Sequence, residues 1–597
     1  MGPRKTSGKN IKAKDFKGTL IRLGNYLGPY KFGIALTVVS AIIGVFLMSL
    51  APAIMGRATT ELFRPALSND VRPIDFGYIR QIIMTLVALH LGSAFFGYIQ
   101  QFTMADVSQR VVYDMRKAVD EKLSRLPLKF LDSQTHGELI SRFTNDIENV
   151  SNTLQQGVTQ VLTSISTILM VLVIMLTLSP VLMLVSMLIV PASGFAMRML
   201  VKNSQAYFVG QQKVLGRLNG HIEEMFTGHM IVKAFNHERK SIDDFKVFNE
   251  ELYQHGWKAQ FFSGIVWPVT HVIGNLGFVA VAVVGGTLVA GGHIVIGNVQ
   301  AFIQYNRQLA NPIAGIAQIA NMIQQSVASA ERVFELLDEE EILKEAKNPA
   351  NLEKPRGEVE FKEVSFSYSA EKPLMNQLNL LAKAGQMVAI VGPTGAGKTT
   401  LINLLLRFYE IDKGKILIDG VDIRKMKRKD LRSLFGMVLQ DTWLFNGTIG
   451  ENIAYGKENV SQEEIMRAAK AAHAHHFIKT LPQGYDTILN EEVSNISQGQ
   501  KQLLTIARAL LHAPEIMILD EATSSVDTRT ELQIQHAMKT LMKGRTSFVI
   551  AHRLSTIREA DLILVMKNGR VIEQGTHHSL LKGKTFYSEL YSSQFSN

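Results

Sequence analysis

Gly392, Pro393, Thr394, Gly395, Ala396, Gly397, Lys398 and Thr399 fit the pattern G-x-x-x-x-G-K-[ST] in full. The chemistry such a stretch suits is the holding of phosphate. Its glycines let backbone N–H groups close around phosphate oxygens, and a helix starting there adds its partial positive charge. Lys398 is placed to reach the outer phosphates, and the Thr399 hydroxyl to hold Mg²⁺. The motif needs a strand before it and a helix after it. An apolar strand candidate, 386–391, precedes it, and a helix candidate beginning at Thr400 follows. A glycine-rich turn of no function would need neither. The stretch therefore predicts binding of a nucleoside triphosphate.

The remaining residues indicate what that binding drives. At 597 residues the chain is too long for one core, so at least two domains are expected. Mean hydropathy is mildly positive, and the apolar residues collect in the first 330 positions. There are no cysteines, which excludes disulfides, thiolate metal sites and a cysteine nucleophile. The net charge is +10. In this apolar context it marks the cytoplasmic side of a membrane rather than a nucleic-acid partner. No cleavable signal peptide is expected from the basic N-terminus.

Stretches free of Asp, Glu, Lys and Arg locate the membrane spans. There are 25 such residues between Lys31 and Arg57, 25 between Arg80 and Asp106, 49 between Glu148 and Arg198, and 48 between Lys258 and Arg307. Each of the first two can cross about 30 Å of hydrocarbon once, and each of the last two can cross it twice. Ser179 and Pro180 mark one tight turn, and 291–297 marks the other. Six helices result, near 29–56, 77–104, 156–178, 180–203, 260–290 and 294–325. The basic connections 105–155 and 204–258, with the N-terminus, should be cytoplasmic, so both termini lie inside. Residues 16–27 form a rough amphipathic face, read as a helix at the membrane surface.

Each long connection has an apolar island near its midpoint, at 126–132 and 225–235. Each island is either a short helix that docks on another domain or part of a hairpin packed on itself; the pattern alone leaves both open. The sixth span carries many amides and Arg307, so it should face a wet cavity or a helix interface. His90 and His271 lie within spans, where a structural hydrogen bond is the expected role. Four regions follow: a tail and interfacial helix (1–28), a six-helix transmembrane domain (29–325), a linker (326–356) and an α/β ATPase domain (357–597).

Beyond the phosphate loop, further motifs fall in order. The apolar run 516–519 ends in Asp520 and Glu521. Ile496, Ser497, Gln498, Gly499 and Gln500 lie upstream of it. Gln440 follows the strand candidate 435–439, Asp527 follows the acidic pair, and His552 ends the strand candidate 547–551. This set resembles the ABC transporters, specifically an exporter half-transporter with one transmembrane domain fused ahead of one nucleotide-binding domain. The resemblance implies that Tyr368 stacks on adenine and that Mg²⁺ is met by Thr399, Gln440 and Asp520. It further implies Lys398 and His552 at the γ-phosphate, and Glu521 as the general base that polarises the attacking water. Ser497 and Gly499 would face the nucleotide held by the opposite subunit, and Gln500, Asp527 and Thr400 join the nucleotide-contacting set.

One departure matters. The family signature reads Leu-Ser-Gly-Gly-Gln, whereas here Ile496 and Gln498 stand at its first and third positions. That resembles one subunit of heterodimeric multidrug exporters with one degenerate ATP site, and Glu521 and His552 give this chain the intact Walker motifs. A homodimer stays open. The implied function is ATP- and Mg²⁺-dependent export of amphipathic drugs or lipid-like molecules across the cell membrane, as half of a dimer. The alternatives are a lipid flippase of the same architecture or an ATP-gated channel or regulator. No nucleic-acid partner is expected.

Overall fold

The computed structural model describes residues 13–67, 73–369, 372–440, 442–490, 495–520, 527–551, 553–583 and 585–595. The chain divides into two compact units, one of 1–124 with 136–339, the other of 125–135 with 340–597.

The first unit is helical. Its main elements are α1 (Phe16–Leu27), α2 (Lys31–Leu67), α3 (Phe76–Leu123), a helical run from His136 that ends as α5 (Thr159–Leu178), Pro180–Met187, α6 (Ile189–Thr227), α7 (His229–Ala234), α8 (Glu238–Ala290) and α9 (Ile296–Asp338). The label α4 belongs to Leu128–Ser133, which lies in the second unit. Among the described residues four helical runs are apolar and long enough to cross a membrane: Phe16–Pro65, Phe76–Leu123, His136–Leu178 and Glu238–Ala290. The run 180–227, which holds the expected fourth span, is interrupted at Leu188, and α9, which holds the expected sixth span, is too polar to qualify by composition. The 48 residues of α3 would extend about 70 Å, more than twice the hydrocarbon thickness. Ser179 caps the helix that begins at Pro180, its Oγ accepting from Leu182 N, which makes the tight turn expected there.

Helix α2 meets α9 through glycines. A β-carbon on Gly297 would sit 1.8 Å from the Gly56 carbonyl oxygen, so only glycine allows this approach. Gly297 N donates to Thr60 Oγ1 at 3.1 Å, and Tyr305, fully buried, donates to the Ser49 carbonyl at 2.9 Å. Near the other end of α9, Arg332 forms a two-point ion pair with the buried carboxylate of Asp146. Asp146 ends a π-helical turn, Arg142–Asp146, in the run toward α5. Helix α1 is also fastened to α9: Arg22 pairs with Asp338 and lies 4.3 Å from the Phe334 ring centre. His90 Nδ1 donates to the Leu86 carbonyl of its own helix, the structural role expected, and Arg307 is exposed.

The second unit holds β1 (Val359–Ser369), β2 (Lys372–Ala382), β3 (Met387–Val391), β4 (Lys413–Ile418), β5 (Val421–Asp422), β6 (Phe435–Val438), β7 (Ile516–Asp520), β8 (Thr546–Ile550), β9 (Leu562–Lys567) and β10 (Arg570–Gly575). A four-stranded antiparallel sheet has the order β2-β1-β4-β5; a six-stranded sheet has the order β10-β9-β3-β8-β7-β6, parallel except for β10. The parallel strands are buried on both faces and mostly apolar, with Thr546 and Ser547 of β8 as buried polar exceptions. In β7, Ile516 and Ile518 enter one core while Met517 and Leu519 enter another. Helices α10 (Lys398–Leu405), α11 (Gln498–His512) and α12 (Thr528–Met542) complete the elements that bear on the site.

Candidate nucleotide site

The parallel strands bring the motif residues to one edge. Ile390 near the end of β3 is level with Ile550 of β8, which is level with Asp520 of β7; Leu519 is level with Val438 of β6. The phosphate loop, Asp520 and the segment bearing Gln440 thus leave the sheet at the carboxyl ends of neighbouring strands, the usual ligand side of an open α/β sheet. Glu521 and His552 follow on from β7 and β8 but lie outside the described residues.

The loop turns tightly into α10. Gly397 caps that helix at φ +99°, a conformation side-chain-bearing residues avoid. Lys398 Nζ donates to the carbonyls of Gly392 at 2.8 Å and Pro393 at 3.1 Å, so the ammonium folds back over the loop. Burial lowers its pKa below the ordinary lysine range, and the nearby Asp520 carboxylate opposes that shift. A half-buried cation held by neutral carbonyls at a helix start fits an incoming phosphate. Among the described residues no cluster of three or more His, Cys, Asp or Glu groups forms a metal cage. The donors here are instead a hydroxyl, an amide and one carboxylate, all hard oxygens. That set fits an ion of the Mg²⁺ type, which takes few protein ligands and completes its shell with phosphate and water.

Tyr368, near the carboxyl end of β1, donates from its hydroxyl to Thr400 Oγ1 at 3.1 Å, and its ring meets Phe366 and Tyr409 edge-on. It is 39% exposed, which leaves ring surface available to a base. Its ring thus packs partly on its neighbours, Phe366 and Tyr409, and is partly open. The signature residues form the start of α11. Ser497 Oγ accepts from Gln500 N and Gln500 Oε1 accepts from Ser497 N, a reciprocal cap, while Gly499 is buried. Asp527 caps α12, accepting from Thr530 N at 3.0 Å, and these backbone hydrogen bonds hold its carboxyl below the usual range.

Two contacts escaped the sequence. Gln498, the departure from the family signature, donates to Thr442 Oγ1 at 3.2 Å, two residues beyond Gln440. No spacing rule joins positions 56 apart. The island at 126–132 also has a partner. Asp132, closing α4, accepts a short hydrogen bond from Tyr409, Leu128 packs against the core beside β1, and Ile342 N donates to the Arg125 carbonyl at 2.9 Å. Burial and then Asp132 raise the Tyr409 phenol pKa. Of the two sequence readings, the docked helix holds for α4. The other island has no such cover within its unit: Phe226, Met230, Ile231 and Phe235, on and beside α7, are 79%, 81%, 62% and 71% exposed.

Comparison with known proteins places this arrangement. Residues 34–313 match the family model described as the ABC transporter transmembrane region, and 375–524 match that described as ABC transporter. The chain is similar to a fatty acid ABC transporter ATP-binding/permease protein of Mycobacterium bovis, 44% identical with 97% of each chain covered. It is similar to an ATP-dependent lipid A-core flippase of Syntrophus aciditrophicus, 35% identical with 99% of this chain and 96% of the relative covered. Among solved structures it resembles a bacterial Atm1-family ABC exporter with ATP bound, TM-score 0.72 and 29% identity, with 94% of this chain and 98% of that chain covered.

Proposed function

Because the chain belongs to the ABC transporter family, as a multi-pass membrane exporter with a cytoplasmic ATP-binding domain that couples ATP hydrolysis to transport, we propose that it moves amphipathic small molecules, drugs or lipid-like compounds, out of the cell by alternating access as one half of a dimer. The observation that carries this reading is the docking of α4 on the ATP-binding unit through Asp132 and Tyr409. It ties a piece of the membrane domain's own connection to the nucleotide domain. Tyr409 also meets the Tyr368 ring edge-on, and Tyr368 is bonded to Thr400 beside the phosphate loop. A change at the nucleotide thus has a short packed route to α4.

The remaining roles follow the chain's own residues. Lys398 and the loop N–H groups hold the phosphates, Glu521 takes a proton from the attacking water, and His552 steadies the γ-phosphate. Thr399, Gln440 and Asp520 would hold Mg²⁺, which when bound offsets charge on the phosphates. The bare apolar residues around α7 fit a docking contact with a second subunit, for which the exposed Trp443, Phe445 and Leu439 offer matching apolar surface. The dimer's other member is a second half-transporter, and Gln498 favours a different chain. Relatives named for fatty acid and for lipid A make a lipid cargo the second reading. The test is ATP-driven uptake of labelled cargo into inside-out vesicles. Wild type should accumulate it, and Glu521→Gln should not, while still binding ATP. Uptake by Glu521→Gln at the wild-type rate would reject the proposal.

A further inference from the structure

A cavity of about 340 Å³ lies within the helical unit, between α2, α3, α5 and α9. Its floor is apolar or small: Gly44, Val45, Met48 and Gly97. No described lining residue is charged. Two amides line this apolar space, Gln100 and Gln308; Gln100 is 5% exposed, and its Nε2 is enclosed and lacks a hydrogen-bond partner among the described residues. A buried donor left without an acceptor is destabilising, so the site favours something that accepts from it.

The rest of the lining supplies acceptors. Pro312 has no N–H, so the Gln308 carbonyl lacks its regular helical donor, and both residues line the cavity. Ser93 Oγ donates to the Gly44 carbonyl at 2.9 Å, and Thr163 Oγ1 donates to the Thr159 carbonyl at 3.1 Å. Their protons are engaged, which leaves lone pairs toward the space. The cavity therefore offers both donors and acceptors, foremost the unpartnered Gln100 Nε2, without a charge. An ionised carboxylate can only accept and would lack a cation; a quaternary ammonium can do neither and would lack an anion. A hydroxyl or carboxamide both accepts and donates, and the small apolar lining suits the first carbons of a chain.

We propose that this cavity binds the uncharged hydroxyl- or amide-bearing head of an amphipathic cargo. The assignment rests on the export reading above. Gln100 lies about 9 Å along the helix from Asp106, so the site sits in the cytoplasm-facing half of the span, where an amphipath from the inner leaflet can enter.

The experiment is saturable binding of tritiated 1-dodecanol to the full chain in nanodiscs, net of empty nanodiscs, with dodecanoate and dodecyltrimethylammonium as competitors. Wild type should bind one dodecanol per chain and both ions should compete at least about tenfold more weakly. Gln100→Met, similar in shape but without the donor, should weaken dodecanol binding about three- to tenfold. Gly97→Leu, whose added carbons enter open space, should abolish it by filling the cavity. Folding of each variant is checked by its melting profile; should Gln100→Met not fold, Gly97→Leu decides. No saturable binding, equal competition by either ion, or wild-type affinity in the folded variants would overturn the assignment. ATP-driven uptake is followed on the same preparation. Uptake without dodecanol binding removes the cavity and leaves export standing; binding lost in the variants without uptake by wild type does the reverse.

Discussion

Lys398 carries a charge that its surroundings disfavour until a phosphate arrives. A lysine whose folded-state pKa lies below the ordinary 10.5 releases its proton earlier as pH rises. Bound polyphosphate favours the charged form and raises that pKa again. Nucleotide binding should therefore take up protons on the alkaline side, and affinity should fall before the ordinary lysine range is reached. Calorimetry in buffers of different ionisation heat, between about pH 8 and 10, reads this directly. Proton uptake should grow with pH in wild type and vanish in Lys398→Ala; no uptake in wild type would contradict the assignment. At Glu521 the expectation concerns rate. Glu521→Gln keeps the shape and removes the base, so hydrolysis should fall roughly 100- to 10,000-fold with nucleotide still bound. Equal loss of binding and turnover would show a structural role instead. The phosphate loop around Lys398 was legible in the sequence because phosphate chemistry demands fixed spacing over a few positions. Gln498 and Thr442 were not, since their contact depends on how two loops leave the sheet.

At the scale of elements, hydropathy located the span candidates, because a helix in hydrocarbon must be uncharged over a definite length. It could not reveal what joins them. The glycine pair between α2 and α9 reads in sequence as two unremarkable residues 241 positions apart, Gly56 and Gly297. The Asp146–Arg332 pair also looks in sequence like two ordinary surface charges. In the fold Asp146 is 3% exposed, so removing its carboxylate strands a largely covered guanidinium. Asp146→Ala should cost about 2 kcal/mol, less than a fully enclosed pair because Arg332 keeps some solvent. The melting temperature of the purified protein checks this, with Arg332→Met/Asp146→Leu recovering part of the loss. An unchanged melting temperature for Asp146→Ala would show that the pair is not holding the run from His136 to α9. The docked state of α4 was likewise one of two readings from pattern alone. Its partner, Tyr409, stands 277 positions away, and only the tertiary fold selects between them.

For the whole molecule, the division of labour was visible from composition: an apolar, charge-poor first part and an α/β second part. Cargo and assembly were not, since lining residues and interfaces come from many distant positions. The exposed apolar residues of α7 and the substituted signature position lead to the assembly expectation. The chain drawn gently from its own membrane should bring an equal amount of a second, different half-transporter, seen by mass measurement. A stable homodimer with full ATPase activity would refute the mixed pair.

On the export reading, hydrolysis and transport are joined through α4. The most direct measurement follows phosphate release and cargo uptake together on the same proteoliposomes, for wild type and Asp132→Ala. Loss of the Tyr409 contact should leave at least about half of the ATP turnover while uptake falls about tenfold, the mark of a coupling contact rather than a catalytic one. If uptake per ATP is unchanged in Asp132→Ala, the docked helix does not carry the stroke.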